Sequence, residues 1–465
     1  MTDAYKGAPR SWLTTQGWII LGLFALLAAL TGGASRYDAI QIVPLRALSA
    51  LFLLPALYYL SLKKLKEEVF LVSLLALFAL LTALQLVPLP PSIWQSLPTR
   101  DVLLKLDLAL GLENAWRPLT LSPIRTWNAL GSLIVPLVGV ILAISFGVTS
   151  RALLHLVSAL GVLNAVLGLL QILGGRSSPF YLYEITNRGG AVGIFANENH
   201  AGIFAACTML IITELGLRAR LDPPATWPRL LYPAAFFLVL LTALVGGSRA
   251  GFASVLGALM VCFFMLILSP SVKKRRSATD PIRRWIDGHP RMFLLLPVLA
   301  VFLTLGAFLL LDRSPAVGDL LAKDSFADLR WSIWPITLDM LKVHWLAGTG
   351  FGSFEQLYKI YEPSELLMPA YVNQAHNDWA QFIIEGGAPA VAILVALLAW
   401  MGVACTKLLA SQRSRRAGVF WISAFALIGF VSLIDYPLRT PTIQLVGVWL
   451  LLALSRDVSD LKATR

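Results

Sequence analysis

The stretch "VFLVSLLALFALLTALQLVPLPPSIW", residues 69–94, decides the fold. Residues 69–88 carry no charged side chain, and about 20 apolar residues is the length an α-helix needs to cross a bilayer. The prolines that follow forbid helix at the start of the next loop. Similar runs recur at 17–33, 43–62, 127–147, 152–173, 200–217, 230–246, 251–268, 293–311, 387–406, 417–434 and 440–454. With 69–88 they predict an all-α polytopic membrane bundle of about twelve transmembrane helices.

Composition agrees. The chain is 57% hydrophobic and 14% charged, whereas soluble domains are roughly 25% charged. A net charge of +12 on a soluble protein would suggest nucleic acid. No basic stretch alternates with exposed aromatics here, so nucleic acid is excluded, and the charge reads as topology. A cytoplasmic N-terminus puts residues 1–16, 63–68, 148–151, 218–229, 269–292, 407–416 and 455–465 inside. These short segments hold 23 of the 38 Lys and Arg, including the cluster "VKKRRSATDPIRRW". Both termini are therefore expected in the cytoplasm. "LFALLAALTGGAS" has the small-residue tail of a signal peptide, but is read as a retained helix. Cys207, Cys262 and Cys405 all fall in apolar runs and read as small buried hydrophobes.

The expected organisation is a membrane bundle over 1–311, a large outer loop over 312–386, and three spans with a tail over 387–465. The outer loops 89–126 and 312–386 are far longer than connections need to be. The second contains Trp331, Trp334, Trp345 and Trp379, so it is too apolar for disorder and predicts a folded helical periplasmic cap.

Ionisable residues in a membrane chain mark function by default. The midplane is nearly bare of them, and the unusual polar groups collect on the predicted outer side. "GGSRAG", 246–251, sets Ser248 and Arg249 on a turn of a few residues, either as a snorkelling arginine or as an anion site. In "SFADLRWSIW", 325–334, Arg330 lies in an amphipathic stretch whose Phe326, Leu329, Ile333 and Trp334 share a face. Its bland reading is a surface pair with Asp324 or Asp328. "FANENHAG", 195–202, places Asn199 and His200 at a helix start, where capping competes with sugar or phosphate binding. "LIDYPLRTP", 433–441, suggests an Asp435–Arg439 pair bracing a short loop. In "QAHNDWAQFIIEGG", 374–387, His376, Trp379, Ala380 and Ile383 share one helical face, with Asn377, Gln381 and Glu385 beside it. Gly386 and Gly387 should break that helix before the next span.

Together with "QLVPLPPSIW" and "GTGFGSFE", these motifs stand in an order that resembles the O-antigen ligase and O-antigen polymerase superfamily of bacterial membrane glycosyltransferases. The resemblance spans most of the chain. It implies a GT-C-like helical transferase in the inner membrane, with its active site facing the periplasm. It implies an undecaprenyl-pyrophosphate-linked glycan donor, a glycan or lipid A-core acceptor, and contact with membrane lipids and polysaccharide assembly partners. The transfer it implies is inverting and metal-independent, with no metal or cofactor. The family's phosphate-binding arginines map onto Arg249 and Arg330 and its essential histidine onto His376. Ser248, Asn377, Asn199, His200 and Arg439 are the accompanying candidates for substrate binding.

That chemistry suits the residue types. Guanidinium groups stay protonated and offer planar donors to a leaving pyrophosphate. A neutral imidazole can take the acceptor's proton, oriented by Asn377 or Asp378. Twelve spans with basic inner loops fit a lipid-glycan flippase or transporter as well, but transporters place their sites near the midplane. Polar groups loaded on one face favour an enzyme.

Overall fold

The computed structural model describes residues 10–219, 228–269, 303, 325–367 and 371–463, and is built almost entirely of α-helices. Among the described residues, six helices are long and apolar enough to cross a membrane: Pro123–Ser145, Ser150–Ser177, Glu198–Ala219, Arg249–Leu268, Asp378–Leu409 and Pro441–Leu461. Four apolar helices are shorter, at Thr15–Thr31, Ile42–Tyr58, Val69–Leu84 and Leu230–Val245. The segment predicted at 417–434 is the helix Arg415–Val431. The predicted span 293–311 and the basic cluster after residue 271 lie outside the described residues, as does Asp324. All three cysteines are free and buried.

The chain divides into two compact units. The first comprises residues 1–148, 324–403 and 432–452; the second comprises 149–323, 404–431 and 453–465.

The second unit is organised around the helix Glu198–Ala219, which packs against Ser150–Gly174, Pro228–Val245, Arg249–Leu268 and Arg415–Val431. Its sequence "AGIFAACTMLII" is apolar all round, as a helix enclosed by neighbours must be. Gly202 allows the closest of these contacts. A Cβ there would lie 2.5 Å from the Cα of Gly251, so two helix backbones touch without side chains between them. At the far end Glu214, fully buried, accepts from Arg218 (2.8 Å) and Arg416 (3.1 Å). Arg218 also bonds Asp457 (2.6 Å), which accepts from the indole N–H of Trp421 (2.9 Å).

In the first unit the loop after "QLVPLP" is ordered. Pro88–Leu89 (β1) pairs antiparallel with Arg117–Pro118 (β2). Trp94 is fully buried and donates to the Ala115 carbonyl (2.9 Å). Arg117 grips the buried carboxylate of Asp107. The segment from residue 325 folds as the helices Ser325–His344 and Phe354–Tyr361, packed through Ile333, Met340, Phe354, Leu357 and Tyr358 onto Val372, Ala375 and Ile384. The predicted apolar face is present at Ile333, buried, and Trp334, half-buried; the side chains of Phe326 and Leu329 lie outside the described residues.

His344 closes this cluster. Its Nε2 is 3.1 Å from the Tyr361 hydroxyl, and burial, reinforced by the charge of Arg100, pushes its pKa from the ordinary 6.5 to about 4. Between those two values the unfolded chain takes up a proton that folded His344 refuses. Stability from this group is therefore full above pH 6.5 and falls as the pH drops towards 4, by on the order of 2 kcal/mol. The melting temperature of the purified protein should fall over that window, and His344→Gln should flatten the slope. An unchanged slope in the variant would assign the acid sensitivity elsewhere.

Candidate functional site

Glu385 is the centre of the polar region in the first unit. It lies in "QFIIEGG", where the helix that begins at Asp378 is interrupted at Gly387 (φ 66°, ψ −166°). Only glycine takes that conformation without strain. A Cβ there would also lie 2.6 Å from the Leu346 carbonyl oxygen. The predicted break is real, and the Glu385 carbonyl is free of the helix ladder because the residue four on, Pro389, has no N–H to donate. That carbonyl accepts from the backbone of Thr349 (3.2 Å) and Gly350 (2.9 Å) and from Gln85 Nε2 (2.9 Å). Gln85 returns its Oε1 to the Phe351 N–H (2.9 Å). "QLVPLP", "GTGFGSFE" and "QFIIEGG" thus meet at one residue.

The Glu385 carboxylate is fully buried. It accepts from Phe354 N–H (3.2 Å), Gln381 Nε2 (3.1 Å) and Arg439 Nη1 (2.7 Å). Arg439 also approaches Asp378 (Nε–Oδ1 3.5 Å). These two carboxylates raise the guanidinium pKa against the cost of its burial. Asp378 accepts in turn from the Leu438 N–H (3.0 Å) and the Ser432 hydroxyl (3.3 Å). Arg439 is therefore braced by Glu385 and Asp378, where the sequence had suggested Asp435.

Asp435 faces His376 instead. It is fully buried, and its Oδ1 lies 3.7 Å from His376 Nδ1. That nitrogen is itself buried without a hydrogen-bond partner among the described residues. The ring meets Tyr436 edge-on, with centroids 4.9 Å apart. His376 is 15% exposed and has φ 49°, the left-handed region that a β-carbon disfavours. The prediction that His376 rides on a helix face is corrected here. Asn377 ends the helix, its Oδ1 accepting from the Ala380 N–H (2.9 Å) while its amide donates to the Leu433 carbonyl (3.0 Å). The histidine is left one residue outside the cap. Asn377 and Asp378 have backbone and arginine partners, so Asp435 is the carboxylate beside the imidazole.

Arg330 lies one turn before Ile333, and Ala375 directly precedes His376; Ile333 and Ala375 belong to the same buried cluster. The Nε of Arg330 is buried with no hydrogen-bond partner among the described residues.

A cavity of about 440 Å³ opens beside this region in the first unit. Gln374 and Asp378, on either side of His376 in sequence, line it, as does Arg439. Much of its wall is apolar, formed by residues such as Leu71, Leu75 and Phe78 of one helix, Leu394 and Leu397 of another, and Leu451 of a third. Its polar end includes Arg36, Tyr37, Arg125 and Tyr371, which sequence reading did not select. Their chemistry becomes visible only when three separate segments are brought together.

The second unit unites the other two motifs. Ser248 caps the helix Arg249–Leu268, accepting from Gly251 N–H (2.8 Å), and donates to Asn199 Oδ1 (2.7 Å). Arg249 is the first residue of that helix. Glu198 packs over the preceding turn, so close that a Cβ on Gly247 would lie 2.9 Å from its carboxylate. His200 is fully buried and edge-on to Phe195. Asn199 braces the helix start, and His200 contributes packing.

Residues 234–395 match a family model described as O-antigen ligase. The matched region includes Arg249, Arg330, His376 and Glu385 and supports the O-antigen ligase and polymerase superfamily. No curated protein matches the chain.

Removing one member of a buried ion pair strands the other, at a cost of about 3–5 kcal/mol. Glu385→Ala should therefore lower the melting temperature far more than Arg125→Ala, whose pair with Glu355 (2.9 Å) retains some solvent. Equal melting of the two variants in detergent would reject Glu385 as the hub.

Proposed function

We propose that this protein is a twelve-span glycosyltransferase of the bacterial inner membrane. It transfers a glycan from undecaprenyl pyrophosphate to a sugar hydroxyl at the periplasmic face, as an O-antigen or exopolysaccharide polymerase or as a ligase onto lipid A-core. The observation that carries this reading is His376, held at φ 49° with Nδ1 buried beside Asp435. Backbone strain of this kind costs about 1–3 kcal/mol and persists at functional sites.

The chemistry follows from the donor set. The acceptor oxygen attacks the anomeric carbon as the bond from that carbon to the pyrophosphate oxygen breaks, inverting the centre. The hydroxyl proton passes to neutral His376, and Asp435 stabilises the imidazolium through Nδ1–H. The pyrophosphate leaves with its electron pair. Arg330, with an unused buried Nε, matches an arginine that serves this step in the family. The apolar cavity wall suits the polyprenyl chain. Energy comes from the donor bond, so no nucleotide or metal enters.

With purified protein and lipid-linked oligosaccharide, undecaprenyl pyrophosphate should be released; a flippase would release none. His376→Ala should reduce transfer about 1,000-fold, the middle of the range for a general base. Asp435→Asn should lower kcat about 100-fold with little change in KM, because it acts through the histidine. Wild-type turnover in His376→Ala would end the base assignment.

A further inference from the structure

Four segments of the first unit place two tyrosines at the polar end of the cavity. Arg36 holds Asp38 through Nε (2.9 Å) and Nη2 (2.6 Å) and donates to the Tyr371 hydroxyl (3.1 Å). The Arg125 guanidinium lies 3.1 Å from the centroid of the Tyr37 ring, while its Nη2 bonds Glu355 (2.9 Å). Lys359 bonds the same carboxylate (3.1 Å) and lies 5.7 Å from the Tyr371 ring centroid. Tyr37, Tyr371, Arg36, Arg125, Asp38 and Glu355 all line the cavity.

Two features of this group identify a ligand. The rings are fixed by cations yet remain wet: Tyr37 is 43% and Tyr371 48% exposed. Rigid aromatic faces left in solvent provide apolar contact area at little entropic cost. Each of these arginines is paired with a carboxylate, Arg36 with Asp38 and Arg125 with Glu355, so the rim carries donors and acceptors side by side. It offers flat apolar faces edged by paired donors and acceptors. A sugar ring has the complementary surface, with C–H groups on its faces and hydroxyls around its edge that both donate and accept. The amides of Asn373 and Gln374 line the same cavity and add to that edge.

We propose that Tyr37 and Tyr371, with Arg36, Asp38, Arg125 and Glu355, form a saccharide-binding subsite that reads the glycan of the substrate. The glycan class rests on the function proposed above; the subsite itself does not require transfer to occur. It is a specificity element, because a site built to hydrogen-bond hydroxyls leaves its own polar groups unpaired when offered a sugar that lacks them.

The test is binding, using full-length protein in nanodiscs. The probes are the lipid-free oligosaccharide released by mild acid from the host's lipid-linked intermediates and, separately, undecaprenyl phosphate. Tyr37→Ala and Tyr371→Ala should each weaken oligosaccharide binding about tenfold, equivalent to about 1.4 kcal/mol, and leave undecaprenyl phosphate binding unchanged. Tyr371→Phe keeps the ring and loses only the bond to Arg36, so its loss should be smaller. If either alanine variant melts early, Asp38→Asn decides: weakened oligosaccharide binding supports the subsite and unchanged binding overturns it. Unchanged binding in both well-folded alanine variants also overturns it. A wild-type protein that binds the oligosaccharide through these tyrosines but releases no undecaprenyl pyrophosphate refutes the transferase reading alone. Transfer with unchanged KM in the tyrosine variants refutes the subsite alone.

Discussion

The buried pair of Glu385 and Arg439 is the constraint on which the first unit depends. A carboxylate withdrawn from water is costly unless every lone pair is occupied. Glu385 meets that demand with a guanidinium, a side-chain amide and a backbone N–H. Each donor comes from a different part of the chain, so satisfying one charge fixes three segments. Its carbonyl fixes two more groups, because Pro389 offers it no helical N–H. His376 faces Asp435 and stands two residues before Asp378, the second carboxylate on Arg439, and its position is set by interactions it does not itself make.

The helices and their ends were legible in the sequence because they obey one-dimensional rules. An apolar run of membrane length, a serine before "RAG" and a double glycine after "QFIIE" each act within a turn or two of chain. The break at Gly387 and the cap at Ser248 were found where those rules put them. The partners of the charges were not legible. Asp435 and Arg439 are neighbours in "DYPLR", and proximity in sequence suggested a pair. Residues four apart across a Pro-containing turn need not share a face, and the two side chains serve His376 and Glu385 respectively. Arg36, Tyr37, Arg125 and Tyr371 had no local signal at all.

The motif "AHNDW" shows how a structural role can hide a chemical one. Asn and Asp next to a histidine suggested ring orientation. Their atoms are spent on a helix cap, a backbone amide and an arginine. The cap is what holds His376 outside the helix at positive φ. Asn377 thus acts on the imidazole through the backbone, while the carboxylate that faces the ring comes from a distant loop.

The distribution of satisfied and unsatisfied groups separates architecture from chemistry. Glu214, Glu385, Asp107 and Asp457 are withdrawn from solvent and fully engaged by arginines or tryptophan. Such networks specify a fold, and nothing in them is left to act on a substrate. His376 Nδ1 and Arg330 Nε are buried nitrogens without hydrogen-bond partners among the described residues. Leaving them so costs about 1–3 kcal/mol each. A transporter would be expected to carry such groups on broken helices near the midplane. Here one lies just before a helix cap and the other near the start of the Ser325–His344 helix, each close in sequence to a residue of one shared hydrophobic cluster.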